Sequence, residues 1–222
     1  MRERRRRGKR EGGRGARAEP RTGRIEYSVS SSTDPRFLNV LNFRPFEYSW
    51  KESSSTRNSE VVIYAGVDGD FLVSDPSRRV PKPRQADDQE ERGVFHLNQE
   101  QVWRGKVGAN RTRYCNGLIH DWVSWQKGND PAFQDLIQVL ETLSPSAEEK
   151  LAPSSPAHVG LVDETEYPTI EMPYGQTVPL VHASAGIRRI AALAYILVWT
   201  WKAHQRASDQ RSSSPNREIC LL

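Results

Sequence analysis

Cysteine is nearly absent. The 222-residue chain holds two, Cys115 and Cys220, far apart and in no paired motif. Neither a disulfide framework nor a C-x-x-C metal or redox site can be built from them, so the expected setting is the reducing cytoplasm. Histidine is scarce as well. His96, His120, His158, His182 and His204 form no i,i+4 pair and no Cys/His cluster, which speaks against a zinc site. Long apolar runs are also missing. The stretch from Ile190 to Val198, extended through Trp201, is about 12 residues and as a helix spans roughly 18 Å, against roughly 30 Å for a hydrocarbon core. Arg188, Arg189 and Lys202 bracket it closely, so it is expected to be a buried core helix and not a membrane span. No G-x-x-x-x-G-K-[ST] phosphate loop occurs; Gly8-Lys9 and Gly105-Lys106 lack both the earlier glycine and the following hydroxyl residue.

Charge is present, but unevenly. The net charge is +4, yet residues 1–24 hold 11 Lys/Arg against 3 Glu, a net of +8, which leaves −4 for the rest. Residues 1–34 are expected to be a disordered, arginine-rich tail, because such a segment cannot bury enough apolar surface to offset the entropy of ordering. No apolar stretch follows the arginine run, as a signal peptide requires. Without apolar positions, and with Glu3 and Glu11, it does not fit a transit peptide either. The alternative to a solvated tail is a polyanion-binding arm for nucleic acid such as DNA. No aromatics interleave the arginines as a base-stacking surface would want.

Residues 35–222 are expected to form one α+β or mixed α/β domain: a β-rich part over 35–105, a helical subdomain over 106–152, and a β region leading into one long helix over 153–222. FLNVLNF is β-rich, and VVIYAGVDGDFLVSDP has the pattern of a hairpin with Asp68-Gly69 as its turn. NGLIHDWVSWQKG repeats apolar residues at helical spacing. NDPAFQDLIQVLETL opens with Asp130 as an N-cap and Pro131 at the first helical position. SPSAEEKL predicts a short helix with Ser146 and Glu149 spaced as a capping box. A Pro/Ser loop follows, and then HVGLVD and PTIEM as strand candidates. Asp163, Glu164 and Glu166 fall in an exposed-looking turn, where carboxylates are usually solvated and not an acid/base pair.

The segment VHASAGIRRIAALAYILVWTW carries the most chemistry. Its strand–Ser–helix layout is that of a G-x-S-x-G elbow with the first glycine replaced by His182. A hydrolase triad needs a histidine downstream, and only His204 follows, about 27 Å away along the same helix. That geometry excludes a triad. Two readings remain for Ser184: a plain N-cap, or a cap that is also part of a phosphate site. Ala185 and Gly186 leave the first-turn N–H groups uncovered, and those groups with the helix dipole attract an anion. Arg188 and Arg189 add positive charge one turn in.

The run PYGQTVPLVHASAGIRRIAALAYILVWTWKAH resembles the signature-motif region of ABC-type ATPases of the SMC/RecF/OLD-like class, and more closely that of bacterial AAA-family ATPases. In those, VP-x-x-HASAG-x-RR-x-x-x-LAY precedes the Walker B strand. IYAGVDGDFLVSDPSR, VWRG and CNGLIHDWVSWQ, with LSP after it, fit the same group in the same order, over roughly residues 36–222. The resemblance implies part of a P-loop NTPase domain with an antiparallel β part and a buried signature helix. It implies that Ser184 hydrogen-bonds the γ-phosphate of ATP held by the opposite subunit of a homodimer, supported by Ala185 and Gly186 and assisted by Arg188 or Arg189. It puts Gln99 or Gln101 near the Q-loop, which contacts Mg2+ and the attacking water. The family's phosphate loop lies near the N-terminus, where this chain has arginines, and Asn216–Leu222 resembles the start of a Walker B strand without its Asp-Glu. The expectation is therefore a central portion of a longer ATPase, with no ATP hydrolysis by this chain alone.

Overall fold

The computed structural model describes residues 23–28, 38–44, 49–52, 61–80, 90–108, 111–146, 148–172, 174–215 and 219–222. The chain divides into two compact units, Met1–Asn58 and Ser59–Leu222. The division falls inside the segment expected as one β-rich part.

The first unit is a three-stranded antiparallel sheet of order β1-β2-β3, made of β1 (Gly23–Ser28), β2 (Leu38–Arg44) and β3 (Ser49–Glu52). Strand β1 lies within the stretch expected to be a disordered tail. GRIEYS alternates Ile25 and Tyr27 with polar residues, a half-buried strand pattern that the neighbouring arginines mask. It pairs with β2 over its whole length, from Gly23 opposite Phe43 to Ser28 opposite Leu38. The arginine-rich residues 1–22 lie outside the described residues.

The second unit contains the helices, and the four-stranded sheet at its centre has the order β12-β4-β5-β6. Strands β4 (Val61–Ala65) and β5 (Phe71–Ser74) form the expected hairpin. Val61, Val62, Ile63, Phe71, Leu72 and Val73 are all buried, as befits interior strands. The turn is wider than a two-residue Asp-Gly turn. Residues 66–70 close it, with the Gly66 N–H bonded to the Asp70 carbonyl at 3.0 Å and the Gly69 N–H to the Gly66 carbonyl at 3.3 Å. Gly69 adopts φ +83°, the conformation for which the glycine is needed. Strand β6 (Val94–Leu97) extends the hairpin antiparallel, and β12 (Ile219–Leu221) joins parallel to β4 at the sheet's other side.

Helix α1 (Gln99–Arg104) follows β6 through a reciprocal capping box between Asn98 and Gln101. A ribbon of β7 (Lys106–Val107) and β8 (Arg113–Cys115) opens the region expected to be a helical subdomain. Gly105 and Gly117 meet back to back there, at φ +99° and +93°. A Cβ on Gly105 would lie 2.6 Å from the carbonyl oxygens of Cys115 and Asn116, so only glycine permits this approach. Helices α2 (Leu118–Lys127) and α3 (Pro131–Leu143) follow, with Asp130 capping the Ala132 N–H at 2.8 Å.

Two expectations fail in the next stretch. The described residues of SPSAEEKL form no helix: Ser146 Oγ accepts from the Glu149 N–H at 3.1 Å, but these residues are bends. With no apolar face to bury, one capping bond does not offset helix nucleation. The Pro/Ser segment is itself strand β9 (Ala152–His158), whereas HVGLVD beyond His158 is a loop with Leu161 and Val162 in solvent. Strand β9 is an edge of the sheet β11-β10-β9, where prolines such as Pro153 are tolerated, and Pro156 lies at the register shift between Ala157 and Ser154. Its partner β10 (Glu166–Glu171) carries Pro168 at a register shift between Tyr167 and Thr169, again where a missing donor is tolerated. Strand β11 (Thr177–Pro179) leads through a 3-10 turn at Leu180–His182 into α4 (Ala185–Gln210).

Helix α4 is the axis of the core. Ala191, Ala192 and Ala194 let neighbours approach closely, while Tyr195, Ile196, Val198 and Trp199 fill the space between the sheet and the α1–α3 layer. The class is thus α+β. Among the described residues no helix is long and apolar enough to cross a membrane.

Candidate functional site

Ser184 is the N-cap of α4. Its Oγ accepts the Ile187 N–H at 3.3 Å, and its carbonyl accepts the Arg188 N–H at 2.9 Å as the first helical bond. Ser184, Ala185 and Gly186 are all exposed. The lead-in is a 3-10 turn and not the strand that an elbow requires.

Gly186 is the informative residue of this turn. Its φ is not positive, and a Cβ built on it would meet only Ser184 Oγ, at 4.0 Å. Neither backbone conformation nor packing inside the chain asks for glycine there. A glycine within a helix costs about 1 kcal/mol relative to alanine, so the fold gains nothing from it. What Gly186 does is keep the first-turn backbone bare, beside N–H groups that a helix leaves without internal acceptors.

The two arginines separate. Arg188 is half-buried, and its Nε is buried with no hydrogen-bond partner. Arg189 reaches the hairpin: Nη1 donates to the Val67 carbonyl at 2.8 Å, and Nη2 donates to the Gly66 carbonyl. Both terminal nitrogens of Arg189 are thus bonded to backbone carbonyls of the hairpin loop.

Gln99 is the exposed first residue of α1 and lies against the same loop, its Cγ 3.7 Å from where a Gly69 Cβ would stand. Gln101, the other glutamine considered, is taken: its Oε1 accepts the Asn98 N–H at 3.1 Å. On the far side of the loop, Asp70 accepts from His96 Nε2 at 3.1 Å, and its other oxygen occupies the space a side chain at Gly66 would need. The hairpin loop 66–70 is therefore the meeting point of the start of α1 and the start of α4. Sequence spacing gave no sign of this, because the three segments are far apart in the chain.

Two buried polar clusters went unnoticed in the sequence. Fully buried Asp75 accepts from the Ser77 N–H at 3.0 Å, from Ser77 Oγ at 2.7 Å and from His204 Nδ1 at 2.9 Å. Ser77 Oγ also lies 3.0 Å from the same His204 Nδ1. A catalytic triad places the serine and the carboxylate on opposite ring nitrogens, so this arrangement cannot relay a proton and instead pins α4 to the SDPSR turn. Beside it, the Arg78 guanidinium stacks over Phe95 at 3.7 Å and Trp199 at 4.8 Å. Burial draws its pKa down to about 10 against the pull of Asp75, which still leaves it charged at neutral pH.

The second cluster links α4, β8 and α2. Tyr195 donates to Asp121 at 3.0 Å, Cys115 Sγ lies 3.1 Å from the Tyr195 hydroxyl, and Asn116 donates to Asp121 at 2.8 Å. Burial raises the Cys115 thiol pKa and pushes the Tyr195 hydroxyl well above its ordinary range. A thiol held protonated is a poor nucleophile. Cys115, Asn116 and Asp121 line a cavity of about 620 Å³ that also receives Arg113, Lys202 and Arg206.

The acidic turn is occupied as well. The Asp163 carboxyl is drawn down to about 2 by hydrogen bonds from Thr165 and Tyr167, and Glu166 pairs with Lys127. Among the described residues no group of three or more His, Cys, Asp or Glu is arranged to hold a metal ion. No protein-family model matches this chain, and no curated protein matches it.

Proposed function

We propose that this chain supplies the signature-motif half of an ABC-type ATP site, acting in trans on ATP bound by a second, phosphate-loop-bearing subunit in the cytoplasm. The observation that carries the reading is Gly186: an exposed glycine in the first turn of a 26-residue helix, required by nothing among the described residues. Ser184 Oγ already accepts the Ile187 N–H, and its hydroxyl proton remains free to donate to a phosphate oxygen. The amides of Ala185 and Gly186 donate beside it, and the helix dipole favours the negative charge. Arg188, with its unpartnered Nε one turn in, is the arginine suited to assist. A P-loop NTPase architecture is compatible with the strand order: β12, resembling a Walker B strand, runs parallel to β4 in the sheet beside α4. The chain's own residues bind and orient phosphate. The phosphate-loop lysine and the Mg2+ that complete hydrolysis would come with the partner subunit.

Two measurements test this. In a phosphate-release assay the purified chain turns over no ATP; turnover that Ser184→Arg abolishes contradicts the proposed division of labour. Titrating 15N-labelled protein with ATP shifts the amide resonances of Ala185, Gly186 and Ile187, and Ser184→Arg removes the response. If these amides do not move at about 10 mM ATP, the phosphate role is wrong.

A further inference from the structure

We propose that Arg189 is a positioning residue that couples the hairpin loop 66–70 to the first turn of α4. The inference rests on the signature reading above and gives that site a regulatory element inside the same chain. Three observations carry it. First, the planar guanidinium fork donates to two successive carbonyls, Gly66 and Val67, so it reads the orientation of the loop and not merely its nearness. Second, the loop is bordered on two other sides, by Gln99, whose Cγ lies 3.7 Å from where a Gly69 Cβ would stand, and by the His96–Asp70 bond at 3.1 Å. A displacement of the loop therefore moves Gln99 and Arg189 together. Third, Arg189 lies just past the turn that presents Ser184, Ala185 and Gly186, and a helix turn transmits small rotations without absorbing them.

The tip of the loop is open to outside contact, since Val67 is 87% exposed. Pressure on Val67 from the ATP-bearing subunit would reach the first-turn amides through Arg189. Arg189 touches no phosphate in this arrangement, because swinging out would break both carbonyl bonds. Its neighbour Arg188, half-buried with an unpartnered Nε, makes no bond to the loop.

The test uses the full 15N-labelled chain in two arms, with Arg189→Met and Arg189→Lys as variants and thermal melts to verify folding. Without nucleotide, Gly66→Ala displaces the Asp70 side chain and shifts the amides of residues 66–70. Through Arg189 it also shifts those of 185–187, and the second response disappears in the Arg189→Met background. With ATP, both sets of amides follow one binding curve in the unsubstituted chain. In Arg189→Met the 66–70 set falls silent and the 185–187 set binds about tenfold more weakly, while Arg189→Lys, with a compact ammonium in place of the planar fork, recovers part of both. Equal transmission with and without Arg189 in the nucleotide-free arm overturns the coupling, whatever ATP does. Transmission without nucleotide, combined with no ATP response in either set, overturns the signature reading instead and reduces Arg189 to a structural tie.

Discussion

The two ends of α4 use the same residue types for opposite purposes. At its N-terminus a serine, a glycine and two arginines lie at or near the surface, with the Ser184 hydroxyl oxygen capping the Ile187 amide. Toward its C-terminus a buried histidine meets a buried aspartate and a half-buried serine from the SDPSR turn: Asp75 Oδ1 takes both the Ser77 hydroxyl and the His204 ring nitrogen, while Asp75 Oδ2 is buried without a partner. Solvent access makes the difference. A polar group left in water is free for a ligand, whereas a polar group removed from water must find its partner within the fold. A Ser/His/Asp set is thus a structural pin at one end, and a lone serine is a candidate phosphate contact at the other.

The sharpest way to break this contrast is at the buried end. Asp75→Ala strips His204 and Ser77 of their shared acceptor inside the core and is expected to destabilise the second unit by about 3 kcal/mol in urea unfolding. A loss below about 0.5 kcal/mol would mean that the cluster is not the pin described here. At the open end the sign reverses. Gly186→Ala adds a methyl to empty space within a helix, so it is expected to stabilise by up to about 1 kcal/mol while weakening the ATP-induced shifts of residues 185–187. Destabilisation instead would show that the fold does need glycine at this position.

The smallest effect belongs to the exposed acidic turn. The Asp163 pKa is lowered in the folded chain to about 2 from its ordinary 3.8. Its contribution is therefore fully present above about 3.8 and is lost as the pH falls through about 2. Thermal melts between these values should lose midpoint less steeply in Asp163→Asn than in the unsubstituted protein; parallel curves would remove Asp163 from the acid response.

Much of the fold was legible where local signals and burial agree. Helix α3 shows both its Asp130-Pro131 start and its apolar face at Phe133, Leu136, Ile137 and Leu140, and its cap forms as expected. Strands β4 and β5 are long β-prone runs that the core then buries. The two misreadings around β9 share one cause. APSSPAH has loop composition, yet it becomes a strand because β10 offers it a partner edge: Thr169 Oγ1 donates to the Ser155 carbonyl at 2.7 Å, and Gln126 donates to Ser154 at 3.0 Å. HVGLVD has strand composition, but beyond His158 it has no partner, and Val162 stays 94% exposed. Strand formation depends on a neighbour as much as on propensity.

The candidate site divides in the same way. The sequence by itself determined the cap at Ser184, the glycine beside it, the arginine pair and the apolar helix behind them, because all four are properties of one contiguous helix read at its own period. Only the tertiary structure decided that Arg189 faces the hairpin while Arg188 is left half-buried and off it, that Gln99 meets the same hairpin loop, and that His204 closes on Asp75. Those outcomes follow from which distant segments share a surface and which groups lose their water, and neither is encoded in local spacing.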